Sequence, residues 1–428
     1  MANPDGGEQL KVKSFDIQKH LVYQAWKKVQ ANGGAPGVDA VSIAEFMANE
    51  RSNLFKLWNH MSSGSYMPGP IRAVEIPKDH GAGVRVLGVP NVADRVAQSA
   101  VAILLEEKLE PIFHPDSYGY RPGRSAHDAL AVARKRCWRK DWVVDLDIQA
   151  FFDSVPHDLV MKAVSHHTQE RWVLLYIERW LVAPIQMPDG TLLERDRGTS
   201  QGSPISPLLA NLFMHYAFDR WMSREYSGSP FERYADDIVI HLDTQEQAIE
   251  CPRGADRSAY VARLEAKPRQ DEDRVLQRRQ PSREFETHQF RLPWVHVSRS
   301  SGQGAKGYFL NFAPAISNQA KKAVGKELRS LHLNRRSGTD LSRLAMEINP
   351  MVRGWINYYG AFYRSELYFL VQRTDEHLVR WAMQKFKRLK GRPVAAWKWL
   401  DTVRRSQPEL FVHWHAVPNT NNRPVGAG

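Results

Sequence analysis

Two short apolar runs, each carrying aspartates, constrain this chain more than anything else in it. The first is Phe231-Glu232-Arg233-Tyr234-Ala235-Asp236-Asp237-Ile238-Val239-Ile240-His241, with adjacent carboxylates between β-forming residues. The pattern predicts a tight hairpin with buried flanks. Side chains alternate along a strand, so a turn is where neighbouring carboxylates converge on one place. Two like charges in a partly dry site repel unless a cation neutralises them, and hard divalent ions such as Mg²⁺ prefer carboxylate oxygen. A solvated Asp-Asp turn satisfies the same string.

The second run is Trp142-Val143-Val144-Asp145-Leu146-Asp147-Ile148, followed by Phe151-Phe152-Asp153. Residues two apart on a strand share a face, so Asp145 and Asp147 are expected on one side. Buried strands rarely carry acids without a partner or a metal. One aspartate of this strand together with Asp236 and Asp237 could hold two Mg²⁺ ions about 4 Å apart, the clamp for in-line attack on a phosphate.

Composition narrows the classes. The chain has 428 residues and 43% hydrophobic residues, enough for two or three structural units. No run of eighteen apolar residues occurs, and the N-terminus lacks the pattern of a secretory signal. Cys137 and Cys251 are too few for a disulfide framework or a Cys-rich zinc site, and a reducing cytoplasm is the expected location. A net charge of +12 with 13 Trp and 14 Tyr points to a polyanionic partner, although a merely basic enzyme has the same balance.

Five ordered blocks resemble the group II intron-encoded reverse transcriptases, or maturases, over about residues 32–415. They are N-G-G-A-P-G-V-D at 32–39, S-Y-G-Y-R-P-G-R-S at 117–125, the Asp147 strand, R-G-T-S-Q-G-S-P-I-S-P-L-L-A-N at 197–211, and Y-A-D-D at 234–237. The block at 197–211 departs from the family's G-T-P-Q-G-G pattern at Ser200 and Ser203, both small and expected to be tolerated. The resemblance implies an α+β right-hand polymerase with an antiparallel palm sheet, followed by an α-helical thumb and maturase domain X. The expected boundaries are an N-terminal extension at 1–45, fingers and palm at 46–310, thumb and domain X at 311–405, and a tail at 406–428. Many relatives carry a C-terminal endonuclease with Cys pairs; none is expected here.

The resemblance also implies roles. Asp147, Asp236 and Asp237 would be the Mg²⁺ ligands, with the Ile148 carbonyl assisting. The alternating runs at 71–78 and 84–90 read as a hairpin; by resemblance Lys78 and Arg85 grip the triphosphate of the incoming dNTP, with Arg72 a further candidate. Phe152 would be the gate that excludes a ribose 2′-hydroxyl, and Gln201-Gly202 would lie beside the nascent base pair. Phe151 and Phe152 are expected on opposite faces of a continuing strand. Asn91 or Asp94 is expected to cap a helix running to about Leu109.

From about Asn318 the pattern turns helical, and P-M-V-R-G-W-I-N-Y-Y-G-A-F-Y-R at 350–364 resembles the maturase signature. Residues 377–400 hold seven Lys or Arg and no acid, with Trp381, Phe386, Trp397 and Trp399 interleaved. Cations for phosphates and aromatics for unpaired bases make this an expected RNA-binding face, nominating Arg353, Arg380, Lys385, Lys387, Arg388, Lys390 and Arg392. A solvated charged helix has the same composition.

Residues 250–300 do not fit. They contain ten Arg and one Lys. With permitted codons and a one-base shift, residues 270–277 can read K-T-K-I-V-Y-C-K and 290–298 can read F-D-F-L-G-Y-T-F-R, both family-like. Two compensating frameshifts would explain this, as would a lineage-specific insert. The first reading expects palm strands to be lost here and polymerisation to suffer. Three functions follow: a reverse transcriptase and maturase acting on intron RNA template, DNA primer and dNTPs; an RNA-binding splicing cofactor with an inactive polymerase; or a reverse transcriptase recruited to another system such as phage defence, which the 350–364 signature disfavours.

Overall fold

The computed structural model describes residues 14–77, 84–148, 150–261, 266–268, 275–277, 289–292, 295–304, 307–361 and 367–416. Lys78 and the Gly81-Ala82-Gly83 turn fall outside them, as does the side chain of Asp147. The chain mixes helices and strands up to about residue 316 and is helical beyond it. It divides into two compact units. The first comprises residues 1–125, 146–238 and 249–268, and the second 126–145, 239–248 and 269–428.

In the first unit, the helices Lys19–Asn32 and Glu50–Ser63 pack against the helix Val92–Leu109, and Ile43–Ala48 packs on Glu50–Ser63. Ser42 and Glu45 satisfy each other's orphan backbone donors in a capping box, which fixes where Ile43–Ala48 begins. Val96, Ala97, Ala100, Val101, Leu105 and Leu109 are fully buried, so Val92–Leu109 is a core element. Neither Asn91 nor Asp94 caps it through its side chain. Asn91 Oδ1 instead accepts from Asp39 N at 3.3 Å, and Asp94 accepts from the Tyr66 hydroxyl and from Gly69 N. Burial pushes the Asp94 carboxyl up to about 6. Both residues serve tertiary contacts that local sequence does not reveal.

The expected hairpin forms from Ile71–Pro77 and Val84–Val89, antiparallel, with Ile76 opposite Arg85. Ile185–Gln186 extends it in parallel and Leu192–Leu193 closes the sheet. A second sheet has the order Phe231–Tyr234, Asp237–Leu242, Trp142–Ile148, Ala266–Pro268, and Val275–Gln277 also pairs with Trp142–Ile148. Residues 266–268 and 275–277 lie in the Arg-rich stretch, where strands were expected to be lost. Strand pairing rests on backbone groups and not on side chains, so a divergent sequence can still complete a sheet edge, and Pro268, opposite Leu146, lacks only the N–H donor. Strand Trp142–Ile148 ends before Phe151, and Phe151–Ser154 is a helical turn. The two phenylalanines therefore do not alternate across a strand.

In the second unit, Ser317 caps Asn318–Ser330, close to where the helical pattern begins. Leu341–Tyr359, Tyr368–Lys385 and Pro393–Ser406 follow. Trp381 is fully buried among Leu344, Ile348, Leu378 and Leu400, with Phe386, Trp397 and Trp399 packed half-buried against that core. Trp381, Phe386 and Trp399 contact one another at ring-centroid distances of 5.1–6.3 Å. Trp381 is therefore core, and the other three rings keep only part of their surface exposed. Burying each of these rings stabilises the helices by a few kcal/mol. No described helix is long and apolar enough to cross a membrane.

Candidate active site

Strands Phe231–Tyr234 and Asp237–Leu242 leave only Ala235 and Asp236 between them. Ala235 has φ 61°, in the left-handed region that costs a residue with a Cβ about 1 kcal/mol or more. The turn is held in that shape by its surroundings. Tyr118 N donates to Arg233 O at 2.8 Å, and Arg233 N donates to Asp116 O at 2.9 Å. A Cβ on Gly119 would fall 2.4 Å from Ala235 N, so the approach of the 117–125 loop to the turn requires glycine.

Beneath the turn lies Arg233, fully buried. Its five N–H groups make five hydrogen bonds. Nε and one terminal nitrogen grip the Asp219 carboxylate, both at 2.8 Å. That nitrogen also donates to Ser117 Oγ at 2.8 Å. The other donates to Asn211 Oδ1 at 3.0 Å and to the Ala235 carbonyl at 3.2 Å. Asn211 in turn donates to Gly119 O at 2.6 Å. One guanidinium thus ties together the 117–125 loop, the end of the 197–211 block and the carboxylate turn. A buried fork-to-fork pair with every donor used holds geometry firmly, whatever its net contribution to stability.

Asp236 and Asp237 are half-buried. Their charge is felt at Tyr120, whose hydroxyl is held above its ordinary range. Burial is the main cause and Asp236 the next; Arg85 opposes the shift. Tyr120, Arg85 and the two carboxylates therefore share one electrostatic neighbourhood. Ile148 is buried and pairs with Ala266, and Asp147 pairs with Lys267. Among the described residues no group of three His, Cys, Asp or Glu comes together to hold a metal. The third carboxylate nominated by the sequence, Asp147, has a side chain outside that set.

Phe152 is half-buried and edge-on to Tyr120 at 6.1 Å, and its carbonyl accepts from Thr199 N at 2.6 Å. Gly88 N donates to Gln201 O at 2.7 Å, and Gly202, with φ 114°, has no room for a Cβ, which would lie 2.5 Å from Gly88 O. A Cβ on Gly88 would fall 1.9 Å from Ser200 Oγ. The 197–211 block is thus clamped between strand Val84–Val89 and the turn after Asp147. Ser200 and Ser203 are both buried.

Of the basic residues nominated for RNA, Arg353, Arg380, Lys387, Arg388, Lys390 and Arg392 are exposed. Arg380 lies 3.6 Å from Glu376. Lys385 differs: its ammonium donates to Ser337 O at 3.1 Å and Thr339 O at 2.8 Å, an internal clamp. The residues that sequence reading missed are Arg233, Asp219, Asn211, Gly119 and Tyr120. The available signal was Arg233 itself, a cation inside an apolar strand that needs a buried anion.

Comparison with known proteins adds to this geometry. Residues 76–268 match the family model "Reverse transcriptase (RNA-dependent DNA polymerase)", and residues 321–399 match "Group II intron, maturase-specific domain". The chain is similar to Protein YkfC of Escherichia coli K12, 34% identical over 45% of this chain and 51% of the other. It is similar to Group II intron-encoded protein LtrA of Lactococcus lactis, 30% identical over 46% of this chain and 33% of the other. It also resembles an uncharacterized 91 kDa protein in the cob intron of Schizosaccharomyces pombe, 30% identical over 47% and 25% of the two chains. The matches therefore span about half or less of these relatives' lengths.

Proposed function

We propose, from the chain's membership of the group II intron reverse transcriptases and maturases, that it is an RNA-directed DNA polymerase which also binds intron RNA and assists its splicing. The observation that carries the reading is the carboxylate turn locked over the Arg233–Asp219 pair, with Tyr120 and Arg85 in its field. In this reading the sheet bearing Asp147, Asp236 and Asp237 is the palm. The Ile71–Pro77 and Val84–Val89 hairpin belongs to the fingers, and the helices after Asn318 form thumb and domain X. The boundaries are those expected from sequence, at 1–45, 46–310, 311–405 and 406–428.

The family uses divalent metals in general. The donor set here fits Mg²⁺: two half-buried carboxylates at one turn, whose negative field already reaches Tyr120. Asp236, Asp237 and Asp147 would hold it, with the Ile148 carbonyl. Bound Mg²⁺ supplies a lowered pKa for the primer 3′-hydroxyl and charge neutralisation on the leaving pyrophosphate. The chain's own residues do the rest. Arg85 and Lys78 orient the dNTP triphosphate and stabilise its charge. Gln201 and Gly202 present backbone, without a side chain at 202, to the nascent pair. Phe152 limits space beside the sugar, and Tyr120 packs against its edge.

Primer extension on poly(rA)/oligo(dT) with Mg²⁺ tests the polymerase. Phe152→Ala is expected to raise ribonucleotide incorporation relative to dNTP by about tenfold or more, since one ring contact discriminates by roughly 1–3 kcal/mol. Unchanged discrimination would leave Phe152 as packing only.

RNA binding rests on another part of the chain. Replacing Lys387, Arg388 and Lys390 with Gln is expected to weaken intron RNA binding and to flatten its salt dependence by about one unit for each phosphate left without its cation, read by filter binding at several salt concentrations. Lys385 is left out because its ammonium is engaged internally. The second reading, an RNA-binding splicing cofactor with an inactive polymerase, is favoured by one observation: the Asp147 strand is bordered by residues 266–268, inside the stretch that departs from the family pattern. Retained RNA binding without primer extension would select it.

A further inference from the structure

The first unit holds a cavity of about 1090 Å³ that the proposed chemistry does not use. Its wall includes a single π-helical turn, His215–Asp219, continued by Arg220–Glu225. Such turns are uncommon and concentrate at functional sites. The widened turn places His215, Tyr216 and Trp221 on the cavity while Asp219 faces Arg233. Lys162 and Arg220 stand exposed at the mouth, and the Arg220 guanidinium lies 5.6 Å from the Tyr216 ring centre. Among the described residues Asp219 is the only carboxylate lining the cavity, and it is bound bidentately by Arg233. No described lining anion is therefore left to answer the cations at the mouth. The buried Nδ1 of His215 finds no hydrogen-bond partner among the described residues. Burial holds that ring's pKa below its ordinary value, so the imidazole is neutral at pH 7.

A basic mouth beside an aromatic wall is what an unstacked nucleotide needs. Phosphate meets cation, and the base lies on a ring. The volume slightly exceeds the roughly 300–1,000 Å³ usual for small-molecule pockets, which favours a strand segment over a lone nucleotide. We propose that this cavity captures one or two unstacked nucleotides of a single-stranded RNA, with phosphates at Lys162 and Arg220 and a base against Tyr216 and Trp221. The proposal deepens the RNA-binding reading and rests on it. It adds a second RNA site, in the unit that carries the carboxylate turn.

The test uses the full chain and a 12-nucleotide oligo(U) RNA carrying 4-thiouridine. Ultraviolet cross-links of the parent should map to residues 213–224. The exposed double variant K162Q/R220Q should lose them, bind the RNA about tenfold more weakly near physiological salt, and lower the salt slope by about 1.4, or 0.7 for each phosphate neutralised on a single strand. The variant K387Q/R388Q/K390Q should keep the 213–224 cross-links. Parent cross-links confined to residues 377–400, or a double variant that binds and cross-links like the parent, would overturn the cavity site alone. Inorganic polyphosphate that displaces the cross-link as well as RNA does, phosphate for phosphate, would reduce it to a plain anion site and overturn the base assignment. A parent that binds the oligonucleotide nowhere would overturn the RNA-binding reading as well.

Discussion

Asp236→Asn is expected to lower Mg²⁺-dependent primer extension by roughly a hundred- to a thousandfold while leaving the fold and RNA binding intact. The substitution keeps the shape of the side chain and removes its charge. Preorganised charge aimed at a transferring phosphoryl group is among the largest single contributions to catalysis, and removing one such group commonly costs about 10²–10³-fold. Asp236 is half-buried, and the isosteric amide keeps its packing, so the melting temperature should change little. Rates and thermal melts of parent and variant, with a filter-binding titration of intron RNA, give all three quantities. A variant that extends primers like the parent would mean that Asp236 is not a metal ligand.

Arg233→Met is expected to be the most destabilising single change near the site. It leaves the Asp219 carboxylate, 1% exposed, buried without its cation. Breaking one side of a buried pair costs about 3–5 kcal/mol, which for a unit of this size lowers the melting temperature by on the order of 10 °C. Replacing both partners, as in R233M/D219L, should recover much of that stability, because an apolar pair of similar volume needs no desolvated charge. Polymerisation should not recover with it. The Ala235 carbonyl, Asn211 and Ser117 would still lack their donor, and a turn displaced by about 1 Å is enough to cost a hundredfold. The pair of variants therefore separates holding the fold from holding the turn. Full activity in the stable double variant would show that Arg233 matters only for stability.

The sequence was most legible where a local rule is violated at a cost. Aspartates inside apolar runs are expensive, so Asp236 and Asp237, and the pair Asp145 and Asp147, stood out from the sequence, and the choice of Asp147 within its strand came from the family resemblance. The start of the C-terminal helices was equally local, since Ser317 satisfies the first turn through its own neighbours. The hairpin of Ile71–Pro77 and Val84–Val89 was legible from the alternation of its two runs, and these strands do pair antiparallel.

What only the tertiary structure decided lies at a distance along the chain. Arg233 meets Asp219, Asn211 and Ser117 at separations of 14, 22 and 116 residues, and no periodicity encodes such a meeting. The same limit explains the aromatics of residues 377–400. The sequence interleaves Trp381, Phe386 and Trp399 with cations, but only their packing shows that Trp381 is fully buried in the core and that the other two lie against it. Lys385 and Lys387 look alike in sequence, yet one ammonium is clamped by two carbonyls and the other faces solvent. Charge and pattern along the chain determine which groups are costly to bury. Which partner offsets that cost depends on how distant segments are brought together, and only the folded chain determines that.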